Sequence, residues 1–546
     1  MDVTDAIITA LRQLSEALED VQRLQSCVGT LNEGYKTIGQ VPAARRVYWR
    51  ISGFSYRKLN TSYAHSIRHD FVERAPISSL TVAWQAYAER FDVQGLGIST
   101  ESLEAGLALA RLTRNCLAGS HEAKALVSGS EPYIRRAVFQ ATSFGAIKEE
   151  RFFPLLRALL QSIANLIAPV DRDNSELLLT GSLIRLYFQE EVRTDQIVLR
   201  ALDSDDAQVN LSVLMIVLNA LKVDPSLIQT LANVQGTRTM AKILDKMTRW
   251  SESVSETLEG KCFDLGYQIS AYIISSPVQM SLFNTLGSDE EVITPSQLMF
   301  LKLLDGYLQS ATSASSSSID IPEVAYLVPH LNAAATFAAP NLKALLESGQ
   351  DREPAASQDP ILPRTLEASI LLCQCLIAAA LREIPVQHER ELLAQSIAGL
   401  DQPAGNTLSS LRKAGQATVE NLISLLGALE AALPRQKPLR PATESSPGGS
   451  LQAFATLKRD VVQLLGLIAY HDKLSQDRIR EAAGIHLVLS LCVVDEHNPL
   501  IREHALLTIR NLMMNNPENQ AVIGTMDPIG MVGPNGELQE MPVKRG

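Results

Sequence analysis

A chain of 546 residues with 5% aromatic residues and a formal net charge of −11 disfavours a dedicated nucleic-acid binder, whose affinity comes chiefly from neutralising phosphates with Lys and Arg. Leu and Ala are plentiful and no long run alternates apolar with polar residues, so a sheet-based core is disfavoured and an all-α chain is expected. Six cysteines, scattered apart from Cys373 and Cys375, make no disulfide framework and fit a reducing compartment. Asp2 and Asp5 stand where a signal or transit sequence needs positive charge, and the longest apolar run, Ile370 to Leu381, is too short for a bilayer crossing. A cytoplasmic chain without a membrane span is the expectation.

Residues 1–33 read as an amphipathic N-terminal capping helix, with Ile7, Leu11, Leu14, Leu18 and Val21 three or four apart beside Glu16, Glu19 and Asp20. The ends of a stacked array need such a polar outer face. From Lys36 to Arg68 the charge reverses. Arg45, Arg46, Arg50, Arg57 and Lys58 interleave with Tyr48, Trp49, Phe54, Tyr56 and Tyr63, and no acid occurs among them. Such a patch can bind phosphate, nucleic acid or an acidic partner. A solvated face over a small aromatic core is favoured, because charge runs on helices usually just keep a surface wet.

Residues 34–433 read as irregular armadillo-like repeats. Arg114-Asn115-Cys116-Leu117 and the following segment align without a gap with Arg510-Asn511-Leu512 and on through Glu518, Ala521 and Val522. Asn165-Leu166 repeats the pattern with one residue inserted, and Asn219 marks a fainter copy. These copies recur about fifty residues apart, slightly longer than armadillo and HEAT units of roughly 40–47, so loop insertions are expected. Insertions are legible near 309–318, which is Ser-rich, and 348–363, which is rich in Pro, Gln and Asp. Thr365 to Arg382 reads as a buried helix and Thr407 to Leu433 as one long Leu- and Ala-rich helix. A Pro, Ser and Gly linker over 434–450 marks a lobe boundary.

Residues 451–523 hold helices in a repeated order. Leu457, Val461, Leu464, Leu465 and Ile468 form one stripe, and a shorter helix follows over Gln476 to Ala482. Ala483-Gly484 breaks it. Ile485 to Val494 is apolar at nearly every position and reads as a covered helix, and Asn498-Pro499 fits an N-cap followed by proline at the first position of the next. Ile501, Ala505, Ile509 and Leu512 make that helix's stripe. Short helix, buried helix, long helix is the armadillo unit, which gives an all-α armadillo/HEAT-like α-solenoid. Gly524 to Gly546 leaves helical periodicity for an extended C-terminal tail whose Met526, Ile529, Met531, Val532 and Leu538 suit a cap.

The pieces Lys458-Arg459-Asp460, Gln476-Asp477, Gly484-Ile485, Asn498-Pro499, Arg510-Asn511-Leu512 and Glu518-Asn519-Gln520 resemble the C-terminal domain of the ataxin-10 family in order and spacing, and the chain looks like the family's fungal members. One departure is Gly466-Leu467, where family members commonly carry Gly-Asn. The resemblance implies a regulator of cytokinesis and cell division acting through partner proteins such as signalling or glycosylating enzymes.

No nucleotide-loop, nucleophile-elbow or zincin motif is present, and Gly95-Leu96-Gly97 is an isolated G-x-G. No catalytic, cofactor or metal residues are therefore assigned. Cys373-Gln374-Cys375 admits a thiolate metal reading, but buried apolar filler is favoured, since successive helical positions diverge. Function is expected on a surface. Asn115, Asn165, Asn219 and Asn511, near the ends of groove-lining helices, are candidates for gripping an extended partner; satisfying a nearby backbone group is the favoured alternative. The expected function is a non-enzymatic protein scaffold with unnamed protein partners, a second copy of the chain among those allowed. The alternatives are a copper-homeostasis protein, prompted by the copper-transport label attached to a yeast relative, and a cargo-adaptor armadillo protein.

Overall fold

The computed structural model describes residues 3–17, 25–33, 77–118, 121–169, 174–188, 197–233, 236–313, 322–347, 361–394, 407–435, 449–526, 531–532 and 538–539. They fall into two compact units, Met1–Ile273 and Ile274–Gly546.

In the first unit α1 (Val3–Ala17) buries Ile7, Leu11 and Leu14, one helical stripe, and α2 (25–33) buries Cys27, Val28 and Leu31. Then come α3 (Ile77–Gln94) and α4 (Thr100–Leu117), joined by a short 3-10 turn at Gly95–Gly97. Gly95 sits at φ +50, so the isolated glycine pair serves a tight turn. Three triads follow: α5 (His121–Ser128), α6 (Glu131–Ala141), α7 (Phe153–Ile167); α8 (Asn174–Phe188), α9 (Ile197–Ala201), α10 (Ala207–Val223); and α11 (Leu227–Ala232), α12 (Thr237–Trp250), α13 (Leu258–Ile274). The third helices α4, α7 and α10 pack side by side, and α1, α3 and α6 line a second layer. Ser99 and Asp206 cap α4 and α10 by accepting from Ser102 N and Val209 N. The second layer is pinned by Trp84, Tyr87, Phe91 and Phe152, all 0–1% exposed. Trp84 Nε1 donates to Thr113 Oγ1 at 3.0 Å, and Gly106 leaves the space that the Tyr87 ring fills.

The second unit continues with α14 (Gln279–Thr285), α15 (Pro295–Ser313), α16 (Leu327–Glu347), α17 (Ile361–Ala394), α18 (Thr407–Lys413), α19 (Gly415–Ala432), α20 (Thr456–Ala469), α21 (Lys473–Glu481), α22 (Gly484–Ser490), α23 (Ile501–Met513) and α24 (Pro517–Gly524). Here α15, α17, α20 and α23 form one row, while α16 packs on α19 and α19 on α20. Strand pairing in the described residues is confined to a Ser288–Glu291 bridge and the short antiparallel pair β1 (Met531–Val532) and β2 (Leu538–Gln539). Both units are stacked helices in two layers, the all-α armadillo-like solenoid architecture expected from the sequence.

Several local readings are corrected. The run from Ile485 to Val494 is helical only to Ser490, and Val493 and Val494 are 36% and 54% exposed. The chain turns there, with Asp495 Oδ2 lying 3.6 Å from the buried Lys458 ammonium. Asn498 is not an N-cap. It is fully buried and donates to Ala455 O at 2.7 Å, while α23 starts at Ile501 behind Leu500 at φ 69. The long helix expected over Thr407 to Leu433 is broken at Ala414, because Gly415 takes φ +80. The helix expected from Thr365 extends over Ile361–Ala394. Its Ile361–Ile384 part, 24 residues, is long and apolar enough to cross a membrane, contrary to the expectation from the shorter run; it lies packed against α15, α16 and α20. Residues 436–448 of the expected linker lie outside the described residues. On either side of it, α20 packs against α17, α18 and α19 within one compact unit.

Candidate interaction site

An α-helix leaves its last four carbonyls without an internal donor, and the third helices answer this with asparagine. Asn165 Nδ2 on α7 donates to Arg114 O on α4, Asn219 Nδ2 on α10 to Ala164 O on α7, and Asn511 Nδ2 on α23 to Gly466 O on α20, each at 3.0 Å. Each acceptor is the first residue of its helix's last turn. One turn earlier a hydroxyl repeats the tie in both units: Ser162 Oγ donates to Ala110 O at 3.2 Å and Thr508 Oγ1 to Val462 O at 3.0 Å. Asn115, at the head of the first row, differs; its Oδ1 accepts from the Arg114 guanidinium at 3.1 and 3.0 Å. The candidate asparagines thus share one structural position, and three of them have their amide donors turned onto a neighbouring helix.

A second set of side chains caps the ends of the same helices. Lys124 Nζ on α5 donates to Ala168 O beyond α7 at 2.6 Å. At the corresponding place on α21, the Gln476 amide donates to Ala469 O, Asn511 O and Met514 O at 3.2, 2.9 and 3.3 Å. Around Gln476 a network closes: Asn516 Nδ2 donates to Gln476 Oε1 and Asp477 Oδ1, Asn519 Nδ2 to Leu512 O, and Arg480 to Asp477 and Asn519. Burial works to raise the Asp477 carboxyl, but hydrogen bonds from Asn516, Arg480 and Lys473 outweigh it and hold the group below its ordinary value.

The piece Lys458-Arg459-Asp460 is likewise built in. Lys458 is 1% exposed, and its ammonium donates to Glu430 at 3.0 Å and to Leu433 O at 2.8 Å. Its partners Glu430 and Asp495 line a cleft of about 260 Å³ between α19, α22 and the start of α23, together with Arg435, Leu491 and Ile501 among others. Asp460 is buried against Arg459 and accepts from Gln374 of α17 at 3.2 Å. Burial raises its carboxyl despite those donors. A polar letter inside an apolar stripe, such as Lys458 beside Leu457 or Gln476 three before Ile479, was the signal in the sequence. The backbone carbonyls these groups reach leave no such signal.

Arg45, Arg46, Arg50, Arg57 and Lys58 of the basic patch lie outside the described residues. Cys373 and Cys375 are both fully buried in α17, and burial pushes both thiols well above the ordinary value, whereas a metal ligand must be a thiolate. Burial likewise pushes Cys262 up to about 12. Among the described residues no group of three or more His, Cys, Asp or Glu is placed to hold a metal.

Residues 457–545 match the family model described as the spinocerebellar ataxia type 10 protein domain. An ataxin-10 homolog of Kluyveromyces lactis is 42% identical over 74 residues, 14% of this chain and 14% of that one. Ataxin-10 of Bos taurus is 29% identical over 172 residues, 30% of this chain and 36% of its own length. Each match therefore spans well under two thirds of the relative. Among solved structures, the SYS-1/POP-1 complex aligns over 96% of this chain and 88% of that one at 9% identity and a TM-score of 0.32.

Proposed function

The chain belongs to the ataxin-10 family through its C-terminal residues, and from that premise we propose that it is a non-enzymatic scaffold that works by holding other proteins on the outer faces of its helices. One observation carries this reading. Among the side chains that bear the family likeness, Lys458, Asp460, Gln476, Asn498, Asn511 and Asn519 are buried and tie helix to helix, so they maintain the stack, while Arg510, Glu518 and Gln520 stand exposed and the exposed faces are left to meet partners. A buried polar group held this way costs about 1–3 kcal/mol when its partner is removed, which is reason enough for such residue types at those positions.

The finer reading is a cytoplasmic role in the regulation of cytokinesis, drawn from what family resemblance implies. Affinity capture with the full-length chain from dividing cells, compared with non-dividing cells, tests it: enrichment of division-machinery proteins in the former is expected, and an unchanged partner set contradicts the division role. Stoichiometric copper or zinc in the purified chain would favour the metal-handling alternative instead.

A further inference from the structure

The cleft beside Lys458 holds opposite charges that do not close on one another. Just past the end of α19, the buried Leu433 accepts at its carbonyl from the Lys458 ammonium at 2.8 Å, and Pro434 follows with its fixed φ. The backbone that carries Arg435 is therefore held. Arg435 itself is exposed on the cleft and makes no ion pair or hydrogen bond with another described residue. Glu430 and Asp495 line the same cleft. Glu430 Oε2 accepts from Lys458 at 3.0 Å, while its Oε1 has no hydrogen-bond donor among the described residues. Asp495 is buried; its Oδ1 accepts from His497 N at 3.1 Å and its Oδ2 lies 3.6 Å from the same ammonium. Two carboxylates thus share one buried cation, and the surplus negative charge is left to the cleft.

The turn that carries Asp495 is also fixed, because Asn498 N donates to Asp495 O at 3.2 Å and the Asn498 amide to Ala455 O at 2.7 Å. The site is preorganised. Its volume of about 260 Å³ is below the roughly 300–1,000 Å³ of sites for drug-sized molecules, so the occupant is small. The rest of the lining is largely apolar: Leu491 and Ile501 are buried, and Val493 stands exposed beside them. A fitting ligand carries a cation for Glu430 and Asp495, an anion for Arg435 and a short hydrocarbon for this wall. An aliphatic α-amino acid combines all three. A plain amine would leave the guanidinium without an anion, and a plain carboxylate would bring its charge beside two others of the same sign.

We propose that the cleft binds a free zwitterionic amino acid of the leucine, isoleucine or valine type. Arg435 takes its carboxylate, Glu430 and Asp495 its ammonium, and Leu491, Val493 and Ile501 its side chain. The bound molecule then ties the end of α19 to the turn between α22 and α23. Two charged contacts and one small apolar group give a weak site, with a Kd of about 0.1–1 mM. The inference goes beyond the scaffold reading and does not rest on it, since capture decides that reading whether or not an amino acid binds.

Isothermal titration calorimetry of the full-length chain tests it. L-Leucine is expected to bind in that range, and isoamylamine, isocaproate and N-acetyl-leucine about tenfold or more weaker, since each lacks one charge. Arg435→Gln, at an exposed position, should weaken leucine by about tenfold and leave it no better than isoamylamine. Glu430→Gln should weaken leucine similarly; because Glu430 also holds Lys458, a melting curve checks that this variant is folded, and Arg435→Gln decides where it is not. Absence of leucine binding up to about 10 mM, N-acetyl-leucine binding as well as leucine, or an unchanged leucine affinity in Arg435→Gln overturns the proposal.

Discussion

Asn165, Asn219 and Asn511 each satisfy a carbonyl that a helix end leaves open, and such contacts depend on the backbones staying close. Gly466 shows how close they stand. A Cβ there would stand 2.5 Å from Thr508 Oγ1 and 3.4 Å from Thr508 Cα, so Gly466→Ala must push α20 and α23 apart and strain both ties between them. A loss of about 1–3 kcal/mol in urea-unfolding free energy is expected; an unchanged midpoint would mean the helices already have room. Histidine gives a second prediction. His330 bonds Asn284 Oδ1 at 3.0 Å and stands edge-on to Phe283, and burial lowers its pKa. His504 is lowered by burial and then by Arg459. The unfolded chain therefore takes up protons near the ordinary value of 6.5 before the folded chain does. Stability present above that pH falls as pH drops through it and levels off below the folded values. Urea midpoints at about pH 7.5 and about pH 5.5 should differ, and His330→Gln with His504→Gln should shrink the difference; an equal slope in the variant would exclude these two groups as its source.

Elements show what the letters reveal and what they hide. Apolar spacing identified the stripes of α1, α20 and α23, and recurring asparagine identified the third helices, because side chains that share a helical face must recur with the helix period. A run such as Ile485 to Val494 misled, since unbroken apolar letters do not distinguish a covered helix from a helix end followed by an exposed loop. Asn498 misled because the same amide that caps a helix can instead be drawn inward to Ala455 O. Gly415 was hidden inside a helical pattern although it ends one helix and starts another. At the candidate site, the polar residues were visible but their acceptors are backbone carbonyls, which every residue has. Two glycines separate conformational from packing effects, because nothing lies within 4 Å of the Cβ position at either Gly306 or Gly415. Gly306 is inside α15 with ordinary helical backbone, so Gly306→Ala should stabilise by about 0.5–1 kcal/mol. Gly415 stands at φ +80, so Gly415→Ala should destabilise by about 1–2 kcal/mol. Chemical denaturation of both variants checks the opposite signs, and a gain at Gly415 would show that α18 and α19 join without a left-handed residue.

At the scale of the whole chain, burial predicts chemistry as well as stability. Cys27, Cys116, Cys262, Cys373 and Cys375 are buried, and Cys492 is half-buried. An Ellman titration of the native chain should therefore show one fast thiol, with the others released on denaturation; rapid reaction at Cys373 and Cys375 would contradict the packed α17. The account rests above all on the family-like polar residues acting as ties between stacked helices, with binding left to exposed faces. Thermal melting of full-length Asn511→Ala, run beside partner capture at a temperature where the variant is folded, tests this most directly. The account predicts a melting temperature lower by about 2–4 °C or more with the captured partners unchanged; unchanged melting with lost partners would contradict it.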